Sequence, residues 1–430
     1  MLAKLKKEVI FAGATFCIFT LPVIAHIILH PASFQWDFKR YYFTGKLSLL
    51  GANPYDVGKM VSLFWDQLCI KQSFIYPPCT LLLLRPMAYY LSLTQAYYLF
   101  FALKLILYVL LIVMWKRTFF RDTSTPCFVL FALASMGAFA AYMDLYSGNI
   151  SVFQQVFFWA GIACLLKRNI MMSGACIVCA SSIKFFFIGP LLLLLLAAGY
   201  WRHFLLFASL FAALVANACL ESPAYFDVIK NNIQHIALKE LGLYAISIRN
   251  FLYDLFSVFQ NLNVCNPDIL YGTIATCIAA YTLYVIIRNL SFLRQEMFLL
   301  VNFTIVSYCT VVPLLIDYEQ VIVIPPTCFL WDYFRRRKHR LTGFLLILPY
   351  FFLTQNVLLP IITYFEKITG WTMSGSVVAG MMYLLLNYHV LFALCITWGM
   401  YLFVIEKENK RAVACPRDTK GEPSWKINSM

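Results

Sequence analysis

EVIFAGATFCIFTLPVIAHIIL, residues 8–29, runs directly into HPASFQWDFKRYY, residues 30–42. The first part is apolar over the length a helix needs to cross the hydrocarbon core, about 17–25 residues. It is too long for a signal-peptide core and has no small-residue cleavage site. It is therefore expected to remain as an anchor, with Lys4, Lys6 and Lys7 on the cytoplasmic side. The second part sets a carboxylate, Asp37, at the mouth of that span, beside Lys39 and Arg40 and among Trp36, Phe38, Tyr41 and Tyr42. An enzyme that must meet both a lipid substrate and water would keep its base at such a boundary.

The 430 residues are 62% hydrophobic and only 13% charged, about half the charge of an ordinary soluble domain. Apolar runs of spanning length recur from end to end, so the expected fold class is an all-α polytopic membrane protein. The net charge of +14 does not indicate nucleic acid. The cations sit in short clusters between spans (Lys116-Arg117, Lys167-Arg168, Arg288 to Arg294, Arg335 to Arg340), where positive-inside topology signals belong. Cys176 and Cys179 have Cys-x-x-Cys spacing, but they lie among small residues that pack helices, and they read as buried thiols.

Beyond the first span, a polar and aromatic segment at about 31–75 suits interfacial helices in an outer loop. Tyr76 to Leu91, interrupted by Arg85-Pro86, reads as a re-entrant or interfacial hairpin. Spans are expected at 95–115, 126–143 and 150–166, then two short helices within 171–199 that return at Lys184, then 204–220. A second outer loop, 221–268, precedes spans at 270–287, 297–315, 320–332, 341–363 and 376–404. That makes roughly twelve crossings with both termini cytoplasmic, in the plasma (inner) membrane. Residues 1–405 form one integral domain and 406–430 a cytoplasmic polar tail.

Read in order, Asp37-Phe38-Lys39-Arg40-Tyr41-Tyr42, Leu50-Gly51-Ala52-Asn53-Pro54-Tyr55-Asp56 and Tyr76-Pro77-Pro78 resemble the entrance signature of glycosyltransferase family 87. Ser147-Gly148-Asn149-Ile150-Ser151 stands where that family has a Gly-Gln-x-Asn turn, and Ser182-Ile183-Lys184 where it has Ala-x-Lys-Pro. Ser247-Ile248-Arg249-Asn250 and Asp317-Tyr318 resemble two later motifs, so the likeness extends over about residues 10–335. The sequence departs from the pattern at Asn149, Phe185 and Tyr318. The resemblance implies a GT-C fold and a likeness to polyprenyl-phosphate-mannose-dependent mannosyltransferases, with Asp37 as catalytic base.

Inverting displacement of a lipid phosphate needs one base and fixed cations for the leaving phosphate. Lys184 and Arg249 are the first choices for that duty, then Arg40 and Lys39. Tyr41, Tyr42 and Tyr55 are candidates to stack on a sugar, and Asp317 and Glu319 to bind its hydroxyls. A monophosphate donor demands no metal, and no cofactor is expected. The partners are a lipid-linked sugar, a lipid or glycan acceptor and the membrane. Each residue has a plainer role available. Asp37 and Asp56 suit helix caps, Lys184 a snorkelling lysine and Arg249 a surface partner of Asp254 or Glu240. Asp144 reads as structural. The alternative function is a transporter or lipid flippase. The absence of repeated halves and the gathering of ionisable residues at one boundary weigh against it.

Overall fold

The computed structural model describes residues 35–64, 74, 76–123, 128, 139–184, 188–231, 246–258, 266–313, 315, 317–339 and 377–414, with single positions 21, 25 and 342. Among these every regular element is helical. Apart from those single positions, the expected spans at 8–29 and 341–363 lie outside the described residues, as do most of 126–143 and the end of the polar tail.

The chain divides into two compact units. The first comprises Met1–Leu192 with Trp201–Lys239. Its helices are α1 (Trp36–Leu49), α2 (Val57–Phe64), α3 (Leu81–Tyr90), α4 (Leu93–Thr118), α5 (Phe139–Ser147), α6 (Ser151–Leu166) and α7 (Ile170–Ile183). After α8 (Ile188–Ala197), where the units meet in sequence, come α9 (Trp201–Glu221) and α10 (Pro223–Asn231). The second unit holds α11 (Ile248–Val258), α12 (Pro267–Arg288), α13 (Leu290–Gln295), α14 (Met297–Val311), α15 (Ile324–Arg336) and α16 (Val377–Ala414).

Four described helices are long and apolar enough to cross a membrane: Leu93–Thr118, Trp201–Leu220, Pro267–Arg288 and Asn387–Val413. Local chemistry sets their ends. Ser92 and Gln95 form a capping box at the head of α4, and Asn266 caps α12, with Pro267 in the first turn. α6, α7 and α14 are apolar but shorter, at 10–17 residues. At about 1.5 Å per residue they fall short of the hydrocarbon thickness unless it thins around them.

α3 is a ten-residue helix with Pro86 inside it, about 15 Å long and too short to cross alone. The expected span 297–315 ends at Val311, because Pro313 follows and Val312 is already extended. The span expected at 320–332 is a correction: the chain forms a 3₁₀ turn, Asp317–Val323, before α15, whose Pro325 and Pro326 sit where a helix tolerates them. α16 continues to Ala414, so the tail boundary at 405–406 falls inside a helix.

In the first unit α1 packs on α3 and α4, and α6 lies between α4 and α7. α9 packs on α7 at Gly174, where an added Cβ would fall 1.7 Å from the Phe207 ring. Close approach at a small residue is how helices associate in lipid. In the second unit α14 packs against α12, α15 and α16.

Candidate active site

Asp37 lies in the first turn of α1 and is 3% exposed. It does not serve as a cap. Its Oδ1 accepts from Arg40 Nη2, one turn along the helix, and its Oδ2 accepts from Asn149 Nδ2 at 2.8 Å, across 112 residues of sequence. Acceptance at both oxygens suits the ionised carboxylate. Arg40, three residues on, shares the face of Asp37, whereas Lys39, two residues on, turns away from it. Of the two neighbouring cations, the helix therefore delivers Arg40.

The turn between α5 and α6 brings Asn149 to the site. Gly148 takes φ +71°, and the Asn149 N–H donates to the Asp144 carbonyl at 3.2 Å. Asn149 Oδ1 accepts from the N–H and hydroxyl of Ser151 at 3.1 and 2.7 Å, a local turn that opens α6. The amide N–H₂ is thereby left to face Asp37 and the Tyr76 hydroxyl, the latter at 3.2 Å. Gly148 is also pressed against α1: an added Cβ would stand 2.8 Å from Phe38 Cβ and 3.0 Å from Gln35 Cβ. Gly148→Ala should cost about 2–3 kcal/mol, combining left-handed strain with this collision. Thermal unfolding in detergent checks it; an unchanged midpoint would mean that the turn is looser than drawn.

Lys184 ends α7 in extended conformation, φ −156° and ψ 130°, so the helix breaks at this residue. Gln154 Nε2, one turn into α6, donates to the Lys184 carbonyl at 2.5 Å. Its ammonium stands 6.0 Å from the centroid of the Tyr76 ring and interacts electrostatically with the Tyr76 hydroxyl, as do Asp37 and Arg40. Burial pushes the Tyr76 phenol above its ordinary value, and the nearby Lys184 partly offsets this. One buried polar cluster thus joins Asp37, Arg40, Asn149, Tyr76 and Lys184. A small open cleft adjoins it, lined by Pro77 and Cys79 just after Tyr76, Ser181 and Ser182 just before Lys184, and Phe211 and Leu214 of α9.

The three tyrosines expected to stack on sugar are instead framework, a correction to that reading. All are buried with their hydroxyls engaged: Tyr41 to Tyr76 Oη at 2.7 Å, Tyr42 to the Leu91 carbonyl at 2.8 Å, Tyr55 to the Tyr76 carbonyl at 2.9 Å. Their rings pack on protein: Tyr41 edge-on to Tyr76, Tyr42 edge-on to Phe43, and Tyr55 against Tyr225 and Phe74. Large aromatic areas with satisfied hydroxyls are strong core elements.

Arg249, Asp317 and Glu319 belong to the second unit. Arg249 Nε pairs with Asp268 Oδ1 at 2.7 Å, not with Asp254, whose Oδ2 accepts from Tyr388 at 2.6 Å. Asp268, in the first turn of α12, also accepts from Tyr253 at 2.7 Å. Glu240 lies outside the described residues. Asp317 and Glu319 sit in the 3₁₀ turn, where Glu319 is 3% exposed. Asp56 is a helix cap: its carboxylate accepts from the Lys59 N–H at 2.9 Å.

Sequence reasoning missed Lys104. It lies fully buried in α4 and pairs with Asp144 Oδ2 at 3.0 Å, while Tyr108 donates to the same oxygen at 2.9 Å. The available signal was a lysine in the middle of an apolar span, a placement that demands partners.

The family model of glycosyltransferase family 87 matches residues 74–317, more than half of the chain. That stretch holds Tyr76, Lys104, Asp144, Asn149 and Lys184; Asp37 and Arg40 precede it. No curated protein and no solved structure matches. A family match of this extent, on a chain whose described helices include four fit to cross a bilayer, leads to one conclusion: the protein belongs to glycosyltransferase family 87 and is a membrane glycosyltransferase.

Proposed function

We propose that the enzyme transfers a sugar, mannose or another hexose or pentose, from a polyprenyl-phosphate carrier to a hydroxyl of a lipid-linked or glycan acceptor, with Asp37 as general base. The observation that carries this reading is the meeting of a buried carboxylate with two cations, Arg40 and Lys184, around Tyr76 and Asn149. A base alone would serve many reactions. A base beside cations in a water-poor site suits one that takes a proton from an acceptor while a phosphate departs.

The acceptor oxygen attacks the anomeric carbon as its proton passes to Asp37. The carbon–oxygen bond to the phosphate breaks, and its electron pair leaves on the phosphate oxygen. With donor bound, the Arg40 guanidinium swings from Asp37 Oδ1 toward the phosphate, freeing that oxygen for the acceptor hydroxyl while Asn149 keeps its hold on Oδ2. Lys184 supplies a second, point-like charge. The cleft along α9 receives the apolar stem of a substrate. Roughly twelve crossings in a GT-C arrangement with both ends cytoplasmic would set this cluster at the outer face of the plasma membrane. Arg249 is proposed as a further phosphate ligand, and Asp317 and Glu319 as ligands of sugar hydroxyls.

The test is incubation of the purified full-length protein with a panel of polyprenyl-phosphate sugars, following release of polyprenyl phosphate by mass spectrometry. Turnover of at least one is expected; turnover of nucleotide sugars alone would overturn the proposal. A monophosphate donor needs no metal clamp, so activity should persist in excess chelator. Abolition by chelation with rescue by Mg²⁺ or Mn²⁺ would contradict this.

A further inference from the structure

We infer that Lys104 is a positioning residue for Asp37: its ammonium clamps the Asp144–Asn149 turn and so aims the Asn149 amide at the base. This rests on the reading of Asp37 above. Lys104 is 0% exposed in the middle of α4, where a charge is costly unless several partners receive it. Neutralising it would take only the carboxylate of Asp144. The ammonium does more: it also donates to the Asp144 carbonyl and, at 2.6 Å, to the Asn149 carbonyl. Its three N–H donors are thus committed to the two ends of one turn, bracketing Gly148.

Glycine at φ +71° gives that turn backbone freedom that the clamp removes. With both ends held, and with Ser151 fixing Oδ1, the Asn149 amide has one direction left for its N–H₂, toward Asp37 and Tyr76. Lys104 also lies within electrostatic reach of the Asp37 carboxylate. It touches neither Asp37 nor the cleft directly, so its influence runs through Asn149.

The test compares the full-length parent with Lys104→Met/Asp144→Asn, which removes both buried charges together. Hydrogen exchange of the 144–150 segment should quicken at least about tenfold, with α7 and α9 unchanged. With a polyprenyl-phosphate sugar that the parent turns over, kcat should fall about 10- to 100-fold, the scale of a slightly misplaced group, with little change in KM. In an Asn149→Ala background the same pair should add almost nothing, since the two act through one contact. Lys104→Gln/Asp144→Asn, which keeps a donor at position 104, should recover part of both the protection and the rate. If the paired variant does not fold, this Gln variant carries the exchange comparison, and exchange equal to the parent's together with a large loss of kcat would overturn the inference. Unchanged exchange in the Met variant, or a full further loss on Asn149→Ala, would also overturn it. If Asp37→Asn keeps its activity, the base assignment fails instead, while the exchange result still decides whether Lys104 holds the turn.

Discussion

Asp37→Asn should yield a folded, membrane-inserted protein whose transfer rate is lower by about 10²–10⁴-fold, the range that general-base catalysis contributes. Asparagine has nearly the same shape, and its carbonyl oxygen still accepts from Arg40 or Asn149, so packing around α1 should survive. It cannot take the acceptor's proton. The control is Asp56→Asn. Asp56 is exposed and accepts from the Lys59 N–H at the start of α2, and asparagine caps a helix about as well as aspartate. Turnover of each variant, with its elution from a sizing column in detergent, separates lost chemistry from lost fold. Near-normal turnover in Asp37→Asn would end the assignment of this carboxylate as base.

The largest expected effect on stability comes from Lys104→Met alone. Both Lys104 and Asp144 are fully buried, and removing one partner leaves the other's charge stranded, typically at about 3–5 kcal/mol. That is a large part of the total stability of most domains. Asp144→Asn added to the same chain should return much of the loss, because no isolated charge then remains. Thermal unfolding in detergent compares the two. Equal midpoints for the single and paired variants would mean that the ion pair contributes nothing to the fold.

Part of the buried polar cluster was legible because its residue types are costly in a membrane protein and so stand out. Asp37 and Lys184 drew attention as charges at span boundaries, and the structure brings both to Tyr76. The helix break at Lys184, the cap at Asp56 and the turn after α1, with Gly51 at φ +69°, follow from local chemistry that needs no tertiary information. Partners were not legible. Arg249 reaches Asp268 because α11 and α12 pack together, a fact of tertiary folding that sequence spacing does not encode. Lys104 was hidden by counting α4 as apolar length. The tyrosines around Asp37 were read as ligand surfaces because burial is not visible in a list of aromatics. The crossing expected at 320–332 failed on Pro325 and Pro326, which open a helix more readily than they sit inside one.

α6 carries a further consequence. The turn that enters it holds the Asn149 amide on the Asp37 carboxylate, and Gln154, within its first two turns, holds the backbone of Lys184. Both attachments ride on a single rod, so sliding or tilting it moves the partners of Asp37 and of Lys184 in step. A one-residue insertion between them would rotate one attachment by about 100° relative to the other, breaking the gauge that fixes how far apart they stand.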